Sequence, residues 1–181
     1  MKRPDLRALL FMALCCDMGL FAKKLISPAA NLITEFLHIP GGIATSFSLM
    51  FLVIAASVIP LAGCASMMAG LQSMLALCLG MTGSMGLLAP IGYILPGLAI
   101  DLILFVSGRI TKDRSSGIMA ASIAASVTAC LAANLIVFRL RGIVLLVYAC
   151  TSAASGSVCG LLAVSLVSRL RPIFFTLKEA S

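Results

Sequence analysis

The chain has 181 residues, of which 61% are apolar and only 10% charged, with no tryptophan. Soluble domains carry about 25% charged residues, so this composition excludes an ordinary water-soluble enzyme and a disordered tail. Thirteen Lys and Arg against six Asp and Glu give a net charge of +7. The basic residues stand in short clusters between long apolar runs, the pattern of an integral membrane protein and not of a nucleic-acid binder.

At about 20 residues per crossing, the chain has room for about six helices in one transmembrane domain covering residues 1–181. Lys2, Arg3 and Arg7 ahead of an apolar run resemble the start of a signal peptide. No Ala-x-Ala cleavage site follows, and Asp17, Lys23 and Lys24 interrupt the run, so a retained helix is expected over residues 6–26. Pro28 is expected to stop it. Residues 28–43 then read as a long, half-apolar outer loop, pinned by Pro28 and Pro40 and carrying Glu35 and His38. Helix 2 is expected over residues 44–60 and helix 3 over 63–80, joined by a very tight turn. Leu61-Ala62-Gly63-Cys64 spells a lipoprotein cleavage box, but it lies too deep in the chain to follow a signal sequence. Helix 4 covers 85–107 and ends in the polar loop of Arg109, Lys112, Asp113 and Arg114. Helix 5 covers 117–138, Arg139 and Arg141 flank a short turn, and helix 6 covers 143–167. A tail with Arg169, Arg171, Pro172 and Lys178 follows. The expected fold is an all-α integral membrane protein, a bundle of six transmembrane helices with a long outer loop between helices 1 and 2.

With six spans, the N-terminus, the 2–3 and 4–5 loops and the C-terminus share one side and hold nine Lys and Arg, against four on the other side. The positive-inside rule makes the richer side cytoplasmic. Both termini are therefore expected inside the plasma membrane of a prokaryote, with the long loop outside.

Small residues recur at helical spacing. Ala121, Ala125, Ala129 and Ala133 run beside Ser122, Ser126, Cys130 and Asn134 on helix 5; Ser152, Gly156 and Gly160 recur on helix 6; Ala65, Ala69 and Ser73 recur on helix 3. In lipid such stripes let backbones approach closely, either within the bundle or against a partner membrane subunit. The seven cysteines lie inside apolar runs without a Cys-x-x-Cys pair, and the chain has one histidine. Neither a zinc site nor a disulfide framework is indicated.

Asp17, Gln72, Asp101 and Asn134 are polar groups inside expected spans. A charge near mid-bilayer costs at least about 2.5 kcal/mol, so it should face protein or a wet cavity. Two readings stay open for each of them: a ligand or coupling contact, or a buried structural partner. The approach to helix 4 is the most informative stretch, with Gly83, Gly86, Pro90, Gly92, Tyr93, Pro96 and Gly97 ahead of Asp101. Broken helices in membranes expose backbone groups that line cavities or pack in protein, and transporters use them at substrate sites. No P-loop, Gly-x-Ser-x-Gly, His-Glu-x-x-His or Asp-rich metal motif is present, so no catalytic constellation and no cofactor are expected.

Six short spans, a first outer loop ending Ile39-Pro40-Gly41-Gly42, and the stretch Gly80-Met-Thr-Gly83-Ser-Met-Gly86 to Gly92-Tyr93, Pro96-Gly97 and Asp101 resemble the substrate-binding S-components of energy-coupling factor (ECF) vitamin transporters. The likeness covers most of the chain as architecture, and its specific residues fall within 80–101. The approach to helix 4 looks most like the thiamine/hydroxymethylpyrimidine type, with Asp101 in the place of its acidic residue; only fragments of the biotin-type signature are kept. The resemblance implies high-affinity binding of a small vitamin or vitamin precursor from outside the cell, in a pocket under the first loop. It further implies docking on a transmembrane coupling subunit driven by two ATPase subunits, which would hydrolyse the ATP, so that this chain is not itself an enzyme. On that reading Glu35, His38, Gln72, Tyr93, Asp101 and Asn134 are candidates for substrate binding. The family's Ala-x-x-x-Ala on helix 1 is absent, since Ala8 and Ala13 stand five apart. Leu9, Ala13 and Asp17, or Ala65 and Ala69 on helix 3, are the candidates for docking. Glu35 and Asp101 would suit a cationic heterocycle; Arg139 and Arg141 would suit a carboxylate or phosphate. The rival readings are a structural or assembly subunit with no small-molecule ligand, and a membrane-embedded enzyme using Cys15-Cys16.

Overall fold

In hydrocarbon every backbone N–H and C=O must be satisfied within the chain, and long apolar segments meet that demand as helices. The computed structural model describes residues 6–37, 43–59, 61, 63–80, 88–110, 114–137 and 142–179. Among them are six α-helices and no strand: α1 (Leu6–Leu37), α2 (Ile43–Val58), α3 (Cys64–Cys78), α4 (Ala89–Ile110), α5 (Arg114–Ala132) and α6 (Ile143–Glu179). A π-helical turn, Ala133–Val137, extends α5. The segments Ala89–Gly108, Ser115–Leu135 and Ile143–Pro172 are long and apolar enough to cross a membrane, whereas α2 and α3 are shorter apolar helices. This much fits a membrane protein.

Two segments depart from expectation. Helix 1 does not stop at Pro28 but runs on to Leu37, so residues 28–37 are helical and are not part of a loop. Proline withholds only its own N–H and crowds the carbonyl one turn back; no further breaker lies between Ala29 and Leu37, and the ladder resumes. Likewise the tail after residue 167 is helical as far as Glu179, with Pro172 inside the helix. Pro96 also lies within a continuous helix, and Pro90 falls in the first turn of α4, where its missing N–H would have had no partner. The glycine-rich residues 81–87 lie outside the described residues.

Unlike that of a water-soluble bundle, the surface is as apolar as the interior, whose core centres on α2 with Leu49, Leu52, Val53, Ile54 and Val58. Ser46, Ser48, Ser57, Gln72, Ser73, Ser122, Ser126, Asn134 and Ser152 are buried, with many alanines, while Leu6, Leu10, Phe21, Met74, Leu102, Phe105 and Leu146 are more than half exposed. Lipid tails are as apolar as leucine, so burying leucine drives nothing; close approach of small residues and interhelical hydrogen bonds do the associating.

That logic accounts for the seams. Along α3 and the antiparallel α4, a Cβ on Gly97 would stand 2.5 Å from Ala69 Cβ and 3.0 Å from the Ala65 carbonyl oxygen. Along α5 and α6, a Cβ on Gly156 would stand 2.8 Å from Ser126 Oγ and 3.1 Å from Ile123 Cα. The same seam is stitched by Ser122 Oγ donating to the Gly156 carbonyl at 2.9 Å and Ser152 Oγ donating to the Ser126 carbonyl at 2.6 Å. Such bonds contribute about 0.6 kcal/mol each in membranes. The small-residue stripes on helices 3, 5 and 6 are thus internal packing surfaces. The α2–α3 turn closes through Gly63, whose φ of +82° is left-handed and favours glycine.

Candidate functional site

We call the end of the bundle that holds the start of α4 the upper end, and the end that holds the start of α5 the lower end. Helix α1 runs parallel to α3 in the middle of the bundle. There Gln72 Nε2 donates to the Cys16 carbonyl at 3.1 Å, and Cys16 Sγ lies 3.9 Å from the Met68 carbonyl oxygen. Gly19 makes room for this: a Cβ there would fall 2.7 Å from Gln72 Nε2 and 3.2 Å from the Ser48 carbonyl oxygen of α2.

One turn further up, Lys23 reaches from α1 to α4. Its Nζ donates to Tyr93 Oη at 2.8 Å and stands 4.4 Å from the centroid of the same ring. Tyr93 is buried together with Leu20, Ala76 and Ala89. A half-buried ammonium is thus held on a phenol, over the ring's negative face, beside a buried primary amide at the junction of α1, α3 and α4. The arrangement can bind a polar or anionic group, since Lys23 offers further N–H donors.

Asp101 lies elsewhere. It sits eight residues after Tyr93, roughly 12 Å down the helix at 1.5 Å per residue. Its carboxylate accepts from the backbone N–H groups of Ala65 at 3.1 Å and Ser66 at 2.8 Å. Gly63 at the start of α3 has no side chain to cap that helix. Asp101 therefore supplies the cap across the helix interface, satisfying two orphan donors and placing negative charge at the positive end of α3.

Of the residues expected to bind substrate, the structure gathers Gln72 and Tyr93 around one stretch of α1, residues 16–23. Asp101 is placed at the lower end of α3. Asn134 is in the π-helical turn, where its Nδ2 donates to the Cys130 carbonyl at 2.9 Å and lies 3.2 Å from Cys130 Sγ. Glu35 falls in the last turns of α1, with its side chain outside the described part, and His38 lies outside the described residues. Of the docking candidates, Ala65 and Ala69 are fully buried against Gly97 and present no surface. Leu9, Ala13 and Asp17 are exposed together on one face of α1. Among the described residues Asp17 makes no hydrogen bond or ion pair.

Lys23 entered the sequence reading only as a charge, one that interrupts the first apolar run and counts toward orientation. A finer signal was present: it follows Cys16, Gly19 and Leu20 by seven, four and three residues, the spacing of one helix face, and all three are buried. Lys24 follows the exposed Asp17 by seven and is itself exposed.

No known family model, no curated protein and no solved structure matches this chain.

Proposed function

We propose that the chain is the S-component of an ECF transporter, most like the thiamine/hydroxymethylpyrimidine type. On this reading it crosses a prokaryotic plasma membrane six times, with both termini cytoplasmic. It binds a small vitamin or vitamin precursor from outside and delivers it to a coupling subunit driven by two ATPase subunits.

The observation that carries the reading is the Lys23–Tyr93 pair with Gln72 a helical turn below it, polar side chains from three helices of an apolar bundle. Lys23 and Tyr93 are the ligand contacts on this reading, with Gln72 beneath them. Since the Asp101 carboxylate caps α3, the charge left for a ligand at this junction is positive, which favours a ligand with a carboxylate, phosphate or other electron-rich group. The exposed α1 face with Leu9, Ala13 and Asp17 is the docking surface, where a donor or cation of the coupling subunit would offset the cost of Asp17 in lipid.

The test is mass spectrometry of small molecules that co-purify with the full-length chain, followed by thermal shift against a vitamin panel. One retained vitamin, no ATPase activity, and weaker retention in Lys23→Met and Tyr93→Phe are the expected results. No retained molecule and no shift across the panel would overturn the reading. A second reading, a structural or assembly subunit without ligand, draws on the engagement of Gln72 and Asp101 in helix-to-helix bonds. It is favoured if the Lys23 and Tyr93 variants impair complex assembly in a chain that retains nothing.

A further inference from the structure

At the junction of α1, α3 and α4 one positive charge stands without a counter-charge. Lys23 is half-buried, and among the described residues it meets the Tyr93 hydroxyl and the face of the same ring, both neutral. The helices packed on this part of α1 supply no anion: α2 and α3 hold no charged residue, and α4 holds none before Asp101, whose carboxylate is engaged at the far end of α3. On α1 itself, Asp17 and Lys24 are exposed, off the buried face that Lys23 shares with Cys16 and Gly19. Glu35 is twelve residues further along, roughly 18 Å away at 1.5 Å per residue. An intramembrane cation is costly to hold unpaired, which marks it as the place where a ligand brings the opposite sign.

Tyr93 adds a second, independent observation. Its side chain is only 8% exposed, and a buried phenol normally finds a partner for its proton. Here the oxygen accepts from Lys23, and among the described residues the O–H donates to none. A cationic N–H and a phenolic O–H, their heavy atoms 2.8 Å apart, suit the two oxygens of a single carboxylate. The charges also balance, one against one. A phosphate monoester carries about two negative charges at neutral pH and would leave one uncompensated in a site largely shut off from water. An amide or a cationic ring brings the ammonium no opposite charge.

Resting on the transport reading above, we propose that the ligand is a small organic acid with one carboxylate, which takes an N–H of Lys23 on one oxygen and the O–H of Tyr93 on the other. The pair then sets the specificity of the site by charge, against neutral and cationic relatives of the same acid.

The test is calorimetric titration of the full-length chain in detergent with matched acids and neutral counterparts: nicotinate and nicotinamide, pantothenate and panthenol, biotin and biotinamide. Thiamine serves as the cationic compound, and laurate as a carboxylate that the bilayer itself could supply. One vitamin acid is expected to bind at least roughly tenfold tighter than its neutral partner, the scale of a hydrogen bond to a charged group. Lys23→Gln should erase that preference, and Tyr93→Phe, which keeps the ring under the ammonium, should reduce it. Both members of a pair meet the same folded molecules, so their ratio stays readable in a variant that folds only in part. Lys24→Gln removes the same charge on the exposed side of α1 and should leave the ratio unchanged. Tighter binding of thiamine or of a neutral partner, or equal effects in the Lys23 and Lys24 variants, would overturn the carboxylate assignment and leave the transport reading standing. Tighter binding of laurate than of any vitamin acid would overturn it in favour of a lipid. Failure of every compound to bind would overturn both.

Discussion

Replacing Asp101 separates two roles that its position in a span leaves open. Its carboxylate receives the N–H groups of both Ala65 and Ser66. Asp101→Ala deletes both bonds and leaves two first-turn amides of α3 facing a half-buried interface. Losing an N-cap costs about 0.5–2 kcal/mol, and charge at a helix N-terminus adds about 0.3–1 kcal/mol. A total near 2 kcal/mol is expected, which for a chain of this size lowers the melting temperature by about 4–8 °C. Asp101→Asn keeps one acceptor oxygen and loses the charge, so its loss should be about half as large. The assay is thermal unfolding in detergent, run with ligand retention on the same samples. An Asp101→Ala protein that keeps its melting temperature but no longer retains ligand would refute the capping argument and make Asp101 a ligand contact.

Other outcomes follow from the same geometry. Gly97→Val places a methyl-bearing Cβ at 2.5 Å from Ala69 Cβ, so the α3–α4 seam should open at a cost of about 1–3 kcal/mol, read as a lower melting temperature; an unchanged value would refute the close contact. Gly63→Ala forces a side chain into left-handed backbone and should destabilise by about 1 kcal/mol, measured by the same unfolding assay. On the proposed transport reading, Ala13→Trp on the exposed face of α1 should abolish capture of a coupling subunit while leaving ligand retention intact; loss of both would place Ala13 in the fold and not on a docking face. Reporters fused to the first and last residues should lie on the same side of the membrane, and opposite sides would rule out six spans.

Helices 2 to 6 were legible because apolar runs with helical spacing and glycine- or proline-marked turns are local signals. The internal use of the small-residue stripes was half legible, since the spacing of Ser122, Ser126 and Cys130 names a contact face without naming the partner helix. Pro28 misled, because a breaker's strength depends on the residues beyond it, and residues 29–37 sustain a helix. The capping role of Asp101 was out of reach: its partners stand some 35 positions away, and the only hint was a glycine at the start of α3 that could not cap itself. Lys23 illustrates the same limit, as its phase with Gly19 is written in the sequence but its bond to Tyr93 is a property of how α1 and α4 meet.

The hairpin of α2 and α3 has a consequence for the surrounding lipid. At 1.5 Å per residue, its 16- and 15-residue helices measure roughly 24 and 22 Å, short of a hydrocarbon slab about 30 Å thick. On the proposed six-span reading, the bilayer beside α3, whose Met67, Leu71 and Met74 are exposed, would have to pinch inward, or headgroups would have to dip to meet it. Either adjustment brings the turn at Gly63, and the carboxylate that caps it, toward water. The same shortness gives the molecule a thin flank, which would settle most comfortably among lipids with short chains.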